Sequence, residues 1–315
     1  KLVKSPVETM LLSVCMVSEN DGWAVGENIL RWDGTSWSIV PDPPGFITYL
    51  FFSVHMLSEN DGWIAGDSGK ILRWNGSSWS TVPTPTRDGF PDDYMSVHAI
   101  SENAAWVVAL EGTILRWNGL RWENVPSPAN NGLRSVYMLS ENQGWAVGHW
   151  GTILRWNGLT WSKMSSPTEN ENAQFFSIFM LNENSGWAVG GGYKVGTILK
   201  WDGSSWLVEP NHAKDFLTSV FMLSENDGWA VGGREILHWD GRGWSIILDS
   251  YENNYTSALT SIYMLSPTNG WAVGTNGIIL HYSETDAVSA WAPIALGATI
   301  AALVSCAVFL IKKRS

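Results

Sequence analysis

Residues 18–37 read SENDGWAVGENILRWDGTSW, and variants of this stretch recur along the whole chain. The tryptophan of its GWAVG element returns in steps of 40, 43, 39, 42, 42 and 42 residues. The seven copies place it at Trp23, Trp63, Trp106, Trp145, Trp187, Trp229 and Trp271. A period this regular indicates a repeat architecture in which each copy forms one structural unit.

Two further tryptophans keep the same register in six of the seven copies. The second closes the ILRW element at Trp32, Trp74, Trp117, Trp156, Trp201 and Trp239, with Tyr282 in the seventh copy. The third follows at Trp37, Trp79, Trp122, Trp161, Trp206 and Trp244. Of the 21 tryptophans, only Trp150 and Trp291 fall outside these series. We therefore expect 19 of them to pack between neighbouring sheets, with each indole N–H bonding a loop carbonyl.

Each copy divides into four short strands, which we call A to D. They are of the types LSVCM, WAV, TILRW and WSIVP, and turn sequences such as SENDG and Asp-Gly or Asn-Gly separate A from B and C from D. Such turns are hairpin signals because Gly, Asn and Asp tolerate positive φ. Four strands per unit of about 42 residues, without intervening helices, predict a β-propeller.

The ends of the repeat region predict how the ring closes. The seventh copy has strands A to C but no strand D, whereas the opening KLVKSP matches a detached strand D. We predict that residues 1–6 complete the seventh blade. Residues 1–283 would then form an all-β, seven-bladed β-propeller closed by the N-terminal strand.

The elements GWAVG, GTIL and (D/N)GxxW recur in this order and carry a resemblance to a known family. They resemble the bacterial neuraminidase-type (Asp-box) repeat propellers, in particular those similar to the photosystem II assembly and stability factor. Only the second half of an Asp-box is present, as in WDGTSW. The resemblance implies a propeller fold and, because the box is a structural turn, no catalytic activity.

Composition restricts the function further. With 19 basic and 30 acidic residues the net charge is −11, and removing the terminal Lys312, Lys313 and Arg314 leaves −14. An acidic body argues against nucleic-acid binding, which needs basic patches. Cys15 and Cys306 are the only cysteines, so no internal disulfide framework is expected. We also expect no cofactor, and the start at Lys1 without a signal segment suggests a processed form.

The C-terminal residues predict a membrane anchor. Residues 293–311 carry no charge and would form about 28 Å of helix. We assign 284–290 as a short linker, 291–311 as one transmembrane helix and 312–315 as a basic cytoplasmic tail. The chain would then cross the plasma membrane once, with the propeller on the side away from the cytoplasm. The tail also fits a dilysine retrieval signal. Gly297, Ala301 and Ser305 offer a small-residue face to a partner helix.

Three other patterns are candidate sites. Asn75 and Asn254 begin glycosylation sequons. Cys15, His55 and His98 share one strand A position, which could suggest metal ligands, but the other copies have aromatic residues there, so we interpret the position as packing and expect no metal site. Glutamates in the A–B turns and cations ending strand C suggest repeated Glu–Arg contacts, or secondarily a basic docking strip; the cations are Arg31, Arg73, Arg116, Arg155, Lys200 and His238.

Binding is predicted on the loops that vary most, the D–A and B–C links on one face of the disc. Trp150 with His149 lies outside the packing register, and Tyr193, Arg87, Phe90, Tyr94 and Arg234 belong to the same loops. We predict that they bind a partner protein or glycan. The leading interpretation is a non-enzymatic, membrane-anchored recognition or assembly propeller on the cell surface, with an accessory subunit of a membrane complex as one form of it. Alternatives are a glycan-binding or neuraminidase-like hydrolase domain, for which Arg87, Arg134 and Arg234 are the available arginines, and a surface-layer or adhesion protein.

Overall fold

A computed structural model describes residues 1–43, 50–86, 91–168, 173–192, 196–249 and 257–283. It contains seven four-stranded antiparallel sheets. Each strand A contacts the strand A of both neighbouring blades, and the last of them contacts the first. The chain is therefore a closed seven-bladed β-propeller with the A strands innermost, as predicted.

Six blades consist of four consecutive strands. Blade 1 contains β2 (Leu11–Ser18), β3 (Asp21–Gly26), β4 (Ile29–Trp32) and β5 (Trp37–Val40); blade 2 contains β6 (Phe51–Ser58), β7 (Asp61–Gly66), β8 (Ile71–Trp74) and β9 (Trp79–Thr81). Blade 3 contains β10 (Tyr94–Ser101), β11 (Ala104–Ala109), β12 (Ile114–Trp117) and β13 (Trp122–Val125); blade 4 contains β14 (Leu133–Ser140), β15 (Gln143–Gly148), β16 (Ile153–Trp156) and β17 (Trp161–Lys163). Blade 5 contains β18 (Gln174–Asn182), β19 (Ser185–Gly191), β20 (Thr197–Trp201) and β21 (Trp206–Glu209); blade 6 contains β22 (Ser219–Ser224), β23 (Asp227–Gly232), β24 (Glu235–Trp239) and β25 (Trp244–Asp249).

The seventh blade joins the two ends of the repeat region. It contains β26 (Leu259–Ser266), β27 (Asn269–Gly274), β28 (Ile279–Ser283) and, on its outer edge, β1 (Leu2–Val3). Leu2 pairs with Leu280, and the main chain of Lys1 bonds that of His281. This confirms the predicted closure by the N-terminal strand.

A ring of serine hydroxyls also connects the blades. In every blade a strand A serine accepts a hydrogen bond from a main-chain N–H of the next blade's strand A, at 3.2 to 3.3 Å. The bond from Val14 to Ser261 continues the series across the join between blades 7 and 1. The closing contact is thus chemically the same as the other six.

The disc has two different faces. On the turn face, the A–B and C–D turns lie together, since a Cβ added to Gly34 would stand 2.8 Å from Asn20 Oδ1. Gly34 has φ 90°, which glycine adopts without strain. On the variable face, the B–C links bond the D–A links, for example Glu27 N to Met10 O at 3.1 Å.

Asn75 lies exposed in a C–D turn of the turn face. Its Oδ1 accepts the main-chain N–H groups of Ser77 and Ser78 at 2.9 Å. Glycosylation there stays a prediction, and Asn254 lies outside the described residues.

The tryptophans fill the wedges between blades. In the wedge between blades 1 and 2, the ring of Trp23 stands 4.8 Å from Trp74 and 5.1 Å from Trp79. The predicted indole hydrogen bond forms in the strand C series, where Trp32 Nε1 donates to Glu19 O at 2.9 Å and five blades repeat it. For the strand B and D series the prediction is wrong, because their buried indole N–H groups meet no acceptor among the described residues.

The glycine before each strand B tryptophan has a steric cause. Gly22 pairs with Met16, and a Cβ on Gly22 would stand 2.3 Å from the methionine sulfur. In blade 3 the pair is different: Ala99 replaces the methionine, and its small side chain leaves room for Ala105 in place of the glycine. The GW motif is therefore one half of a Met–Gly pair.

The predicted Glu–Arg contacts need correction. Arg31 and Arg73 bond Asp21 and Asp61 of their own blades, at 3.0 and 3.2 Å. The A–B turn glutamates instead offer their main-chain carbonyls to the indoles. A Glu–Arg pair forms between blades 3 and 4, where Arg116 bonds Glu141 at 3.0 Å. In blades 1 and 2 the aspartate two residues after the turn glutamate lies within strand B and therefore reaches the arginine of its own blade.

The predicted linker 284–290, transmembrane helix 291–311 and tail 312–315 lie outside the described residues, as do Gly297, Ala301 and Ser305. Within the ranges that are described, no helix has the length and apolar character needed to cross a bilayer.

Candidate functional site on the variable face

The B–C loop of blade 4 is a rigid turn on the variable face. His149 N bonds Gly132 O at 2.9 Å, Gly151 N bonds Ala173 O at 2.7 Å, and Thr152 N bonds His149 O at 3.1 Å. Gly132 and Ala173 belong to the D–A links that lead into blades 4 and 5. The loop is therefore fixed at both ends while its central residue, Trp150, remains outside.

Trp150 has an unusual backbone conformation. It has φ 57° and ψ 37°, in the left-handed region, and its side chain is 53% exposed. The same turn in blades 2 and 7 has Ser68 at φ 50° and Asn276 at φ 56°, small polar residues that suit the conformation. A bulky side chain there is strained, by an amount of order 1 kcal/mol. An exposed aromatic ring kept at a strained position suggests a binding role.

Arg134 lies beside this loop. Its Nε donates to His149 Nε2 at 2.9 Å, and its guanidinium lies 5.8 Å from the centroid of the Phe176 ring. Burial lowers the pKa of Arg134, and burial together with the nearby guanidinium lowers the pKa of His149, so His149 is a neutral acceptor. No carboxylate among the described residues pairs with Arg134. A half-buried cation without an anion is ready to receive one.

Phe216 extends the same surface into blade 6. Its ring is 46% exposed, 6.5 Å from the Phe176 ring, and it covers Gly191, where any Cβ would collide with it. Trp150, His149, Arg134, Phe176 and Phe216 thus form a cationic and aromatic surface over blades 4 to 6. We call these five residues the aromatic patch.

The other sequence-predicted residues have different positions. Arg87, Phe90 and Tyr193 lie outside the described residues. Tyr94 is only 1% exposed, because it is the first residue of β10, in the column of Leu11 and Phe51. It therefore presents no ring to a partner; its hydroxyl donates to Pro85 O at 3.3 Å.

Arg234 lies partly buried in the B–C link of blade 6, before the buried Glu235. Arg134 belongs to blade 4 and interacts with His149 and Phe176, so these two arginines have separate surroundings. Sequence reasoning missed Phe176 and Phe216. A signal was available in both cases, because each phenylalanine is next to a buried apolar residue at the start of strand A. Phe176 follows the buried Phe175, and Phe216 precedes the buried Leu217.

The strand A position of Cys15, His55 and His98 forms a continuous collar around the inside of the ring. Neighbouring collar rings lie 4.4 to 5.0 Å apart from His55 through to Tyr263. The members are Cys15, His55, His98, Tyr137, Phe179, Phe221 and Tyr263. Over the described ranges, no group of three or more His, Cys, Asp or Glu residues is arranged to hold a metal ion.

Comparison with known proteins places the fold. No protein-family model matches the sequence, and no curated protein matches it. The fold is similar to that of YCF48. A structure of YCF48 bound to D1 peptide has a TM-score of 0.72 at 22% identity, covering 90% of this chain and 96% of that one. YCF48 from Cyanidioschyzon merolae gives 0.69 at 19%, covering 91% and 99%. The WD40 propeller domain of Doa1 gives 0.72 at 14%, covering 90% and 95%.

These likenesses support the predicted similarity to the photosystem II factor-like propellers at the level of fold. The neuraminidase-type (Asp-box) assignment stays a prediction. At such identities the comparison concerns architecture alone, and function has to be argued from the sites.

Proposed function

We propose that this chain is a non-enzymatic recognition propeller that binds a segment of a partner protein on the aromatic patch. The observation that carries the proposal is Trp150, an exposed ring in a strained conformation next to His149, whose partner Arg134 pairs with no carboxylate of the described residues. Exposed tryptophan and arginine are the side chains that most often dominate protein interfaces. The solved YCF48 that shares this fold holds a D1 peptide, which supports peptide recognition as a use of the architecture.

Two features describe the segment that the patch would accept. A carboxylate suits the free edge of the Arg134 guanidinium, whose Nε is already occupied by His149. An apolar or aromatic side chain suits the exposed rings of Trp150 and Phe216, which are 53% and 46% exposed. The partner segment would therefore combine an acidic residue with an apolar one.

Replacing Trp150 by Asn should weaken partner binding at least about tenfold, because the ring is the main exposed anchor. The same change should leave the melting temperature unchanged or slightly higher, since Asn276 occupies the same turn position in blade 7. Affinity purification from native membranes with quantitative mass spectrometry measures the first effect, and thermal denaturation the second.

Ile39→Ser is the matched control, because Ile39 is exposed on the outer strand of blade 1, away from blades 4 to 6. Proteins retained by wild type and I39S but lost with Trp150→Asn are the partners of the patch. Equal recovery by all three chains would contradict the proposal.

We further propose that the propeller is membrane-anchored and lies outside the cytoplasm. The support is the uncharged run 293–311 followed by Lys312, Lys313 and Arg314. The full chain should remain in the membrane fraction after alkaline carbonate extraction, and a chain ending at Ser283 should not. Release of the full chain would contradict the anchor and leave the patch proposal standing.

A further inference from the structure

The end of strand C carries a basic residue, Arg, Lys or His, in every blade, and the structure places it against tryptophan. Arg73 lies 4.9 Å from the Trp63 ring of its own blade and 5.7 Å from Trp117 of the next. Arg155 repeats this at 5.0 and 5.8 Å, over Trp145 and Trp201. The full series is Arg31, Arg73, Arg116, Arg155, Lys200, His238 and His281. These contacts hold each cation in one place at the turn face.

Most of these cations have an acidic or polar partner at one fixed position. That position lies two residues before the strand B tryptophan, and it holds Asp21, Asp61 and Asp227 in blades 1, 2 and 6. In blade 7 it holds Asn269, which bonds His281. Blade 3 has Ala104 there, and Arg116 turns to Glu141 of the next blade. A carboxylate or, in blade 7, an amide beside the basic side chain is thus the rule of this ring.

Blades 4 and 5 break this rule. The partner position holds Gln143 in blade 4 and Ser185 in blade 5. Among the described residues, no carboxylate or other acceptor pairs with the side chains of Arg155 and Lys200. Both cations are nevertheless held in place by tryptophan rings, since Lys200 lies 5.4 Å from Trp187 and 4.9 Å from Trp239. A chain with net charge −11 therefore presents two adjacent unpaired cations.

The surface in front of Arg155 has room for a ligand. A groove of about 470 Å³ lies there, lined among others by Asn142, Gln143, Asn157, Trp156 and Glu183. Amide side chains can bond a peptide main chain beside the cation. Glu183 also lines the groove, but its carboxylate forms no ion pair with Arg155.

Two exposed leucines lie at C–D turn tips of the same face. Leu159 of blade 4 is 84% exposed and Leu120 of blade 3 is 87% exposed. Blades 1, 2 and 5 have Thr35, Ser77 and Ser204 there, and these hydroxyls bond the turn's own Asp or Asn. A leucine at this position cannot form that hydrogen bond, and these two leucines are not buried within the chain. Its presence suits contact with an apolar side chain of another molecule.

We propose that the turn face of blades 3 to 5 docks an acidic segment of a partner protein, whose carboxylates occupy the places that Asp21 and Asp61 occupy beside Arg31 and Arg73. One carboxylate pairs with Arg155, a second with Lys200, and an apolar residue of the segment contacts Leu159 and Leu120. The surface lies on the opposite side of the disc from the aromatic patch. The propeller can therefore join two partners, and this inference does not depend on the patch.

The test supplies the missing carboxylates within the chain. The full-length double variant Gln143→Asp, Ser185→Asp should bind poly-L-glutamate about tenfold more weakly than wild type at low ionic strength, measured by biolayer interferometry. The charge-matched control is Ser38→Asp, Ser80→Asp, which adds two aspartates at exposed positions of the outer strands of blades 1 and 2. This control should change binding less than twofold. Thermal denaturation should show the first variant to be at least as stable as wild type, so misfolding cannot mimic the effect.

The leucines are tested with an alternating Leu–Glu peptide. Leu120→Ser, Leu159→Ser should weaken its binding about fivefold and leave poly-L-glutamate binding unchanged. Equal loss of poly-L-glutamate binding in both aspartate variants would overturn the proposal, because only net charge would matter. Two other results would also overturn the proposal. The first is that wild type self-associates and that the Gln143→Asp, Ser185→Asp variant does not. The second is that the chain binds anionic phosphatidylglycerol vesicles but neither peptide.

Discussion

Replacing His55 and His98 together by phenylalanine is expected to make the chain much less sensitive to acid. The wild-type chain should lose stability between pH 6.5 and pH 4, and the double variant should lose much less. Both histidines are collar residues inside the ring. His55 Nδ1 accepts the N–H of Ala99 and His98 Nδ1 accepts that of Met138, each at 3.4 Å. A proton on Nδ1 would face a donor and break the contact between blades.

The direction of the effect follows from the pKa values. Burial lowers the pKa of His55 to about 4, and burial together with His55 lowers that of His98 well below its ordinary value. Below pH 6.5 the unfolded chain therefore binds protons that the folded chain does not. The contribution of the two neutral histidines to the free energy of unfolding is fully present above pH 6.5. It decreases as the pH falls toward 4, by about 3 kcal/mol for His55 alone.

The rest of the collar does not titrate in this range. Burial raises the pKa of Cys15 to about 11 and that of Tyr137 to about 12, and it also raises the pKa of Tyr263. Phenylalanine suits the position, since Phe179 and Phe221 occupy it in blades 5 and 6. There the matching amides of Met222 and Met264 have no side-chain acceptor among the described residues.

Urea denaturation at pH 7, 5.5 and 4.5 measures the effect. The free energy of unfolding should fall with acid much less steeply in H55F/H98F than in wild type. His212→Phe, at an exposed position, is the control and should follow the wild-type curve. If H55F/H98F also follows that curve, the collar histidines are not the acid-sensitive groups.

Much of the architecture could be predicted from the sequence because it depends on one repeated packing unit. The tryptophan spacing predicted the number of blades, the turn sequences predicted the strand order, and the match of KLVKSP to strand D predicted the closure. Side-chain partners were less predictable. Asp21 and Glu19 are both near Arg31 in the sequence, and only the direction of strand B shows that Asp21 is the residue within reach.

The candidate site was predictable only where a residue broke the repeat. Trp150 stood outside the tryptophan register, and the structure shows it exposed. Its left-handed backbone gives no sequence signal, since glycine or asparagine is the usual marker of that conformation. Tyr94 shows the opposite error: it was grouped with the loop before it, although its column is the buried start of strand A.

Trp63→Ala is expected to be the most damaging of the wedge substitutions, and Trp229→Ala a milder one. Trp63 is fully buried, and its ring lies 5.1 Å from both Trp117 and Trp122 and 4.9 Å from Arg73. Removing it deletes two ring contacts between blades 2 and 3 and the contact with Arg73 inside blade 2, and leaves a large cavity. A loss of about 3–5 kcal/mol is expected, a large share of a typical folding free energy.

The wedge between blades 6 and 7 provides the comparison within the same chain. Trp229 meets Tyr282 at 5.4 Å and His238 at 4.5 Å, so a smaller ring and an imidazole replace two indoles and an arginine. The smaller packed surface should make W229A less costly than W63A, by about 1 kcal/mol or more. Trp150→Ala, which removes an exposed ring, should leave stability within about 0.5 kcal/mol of wild type. Denaturant midpoints for the three variants test this order. Equal losses for W63A and W229A would mean that the indole triplet adds nothing beyond ordinary burial, and the repeated tryptophans would then need another explanation.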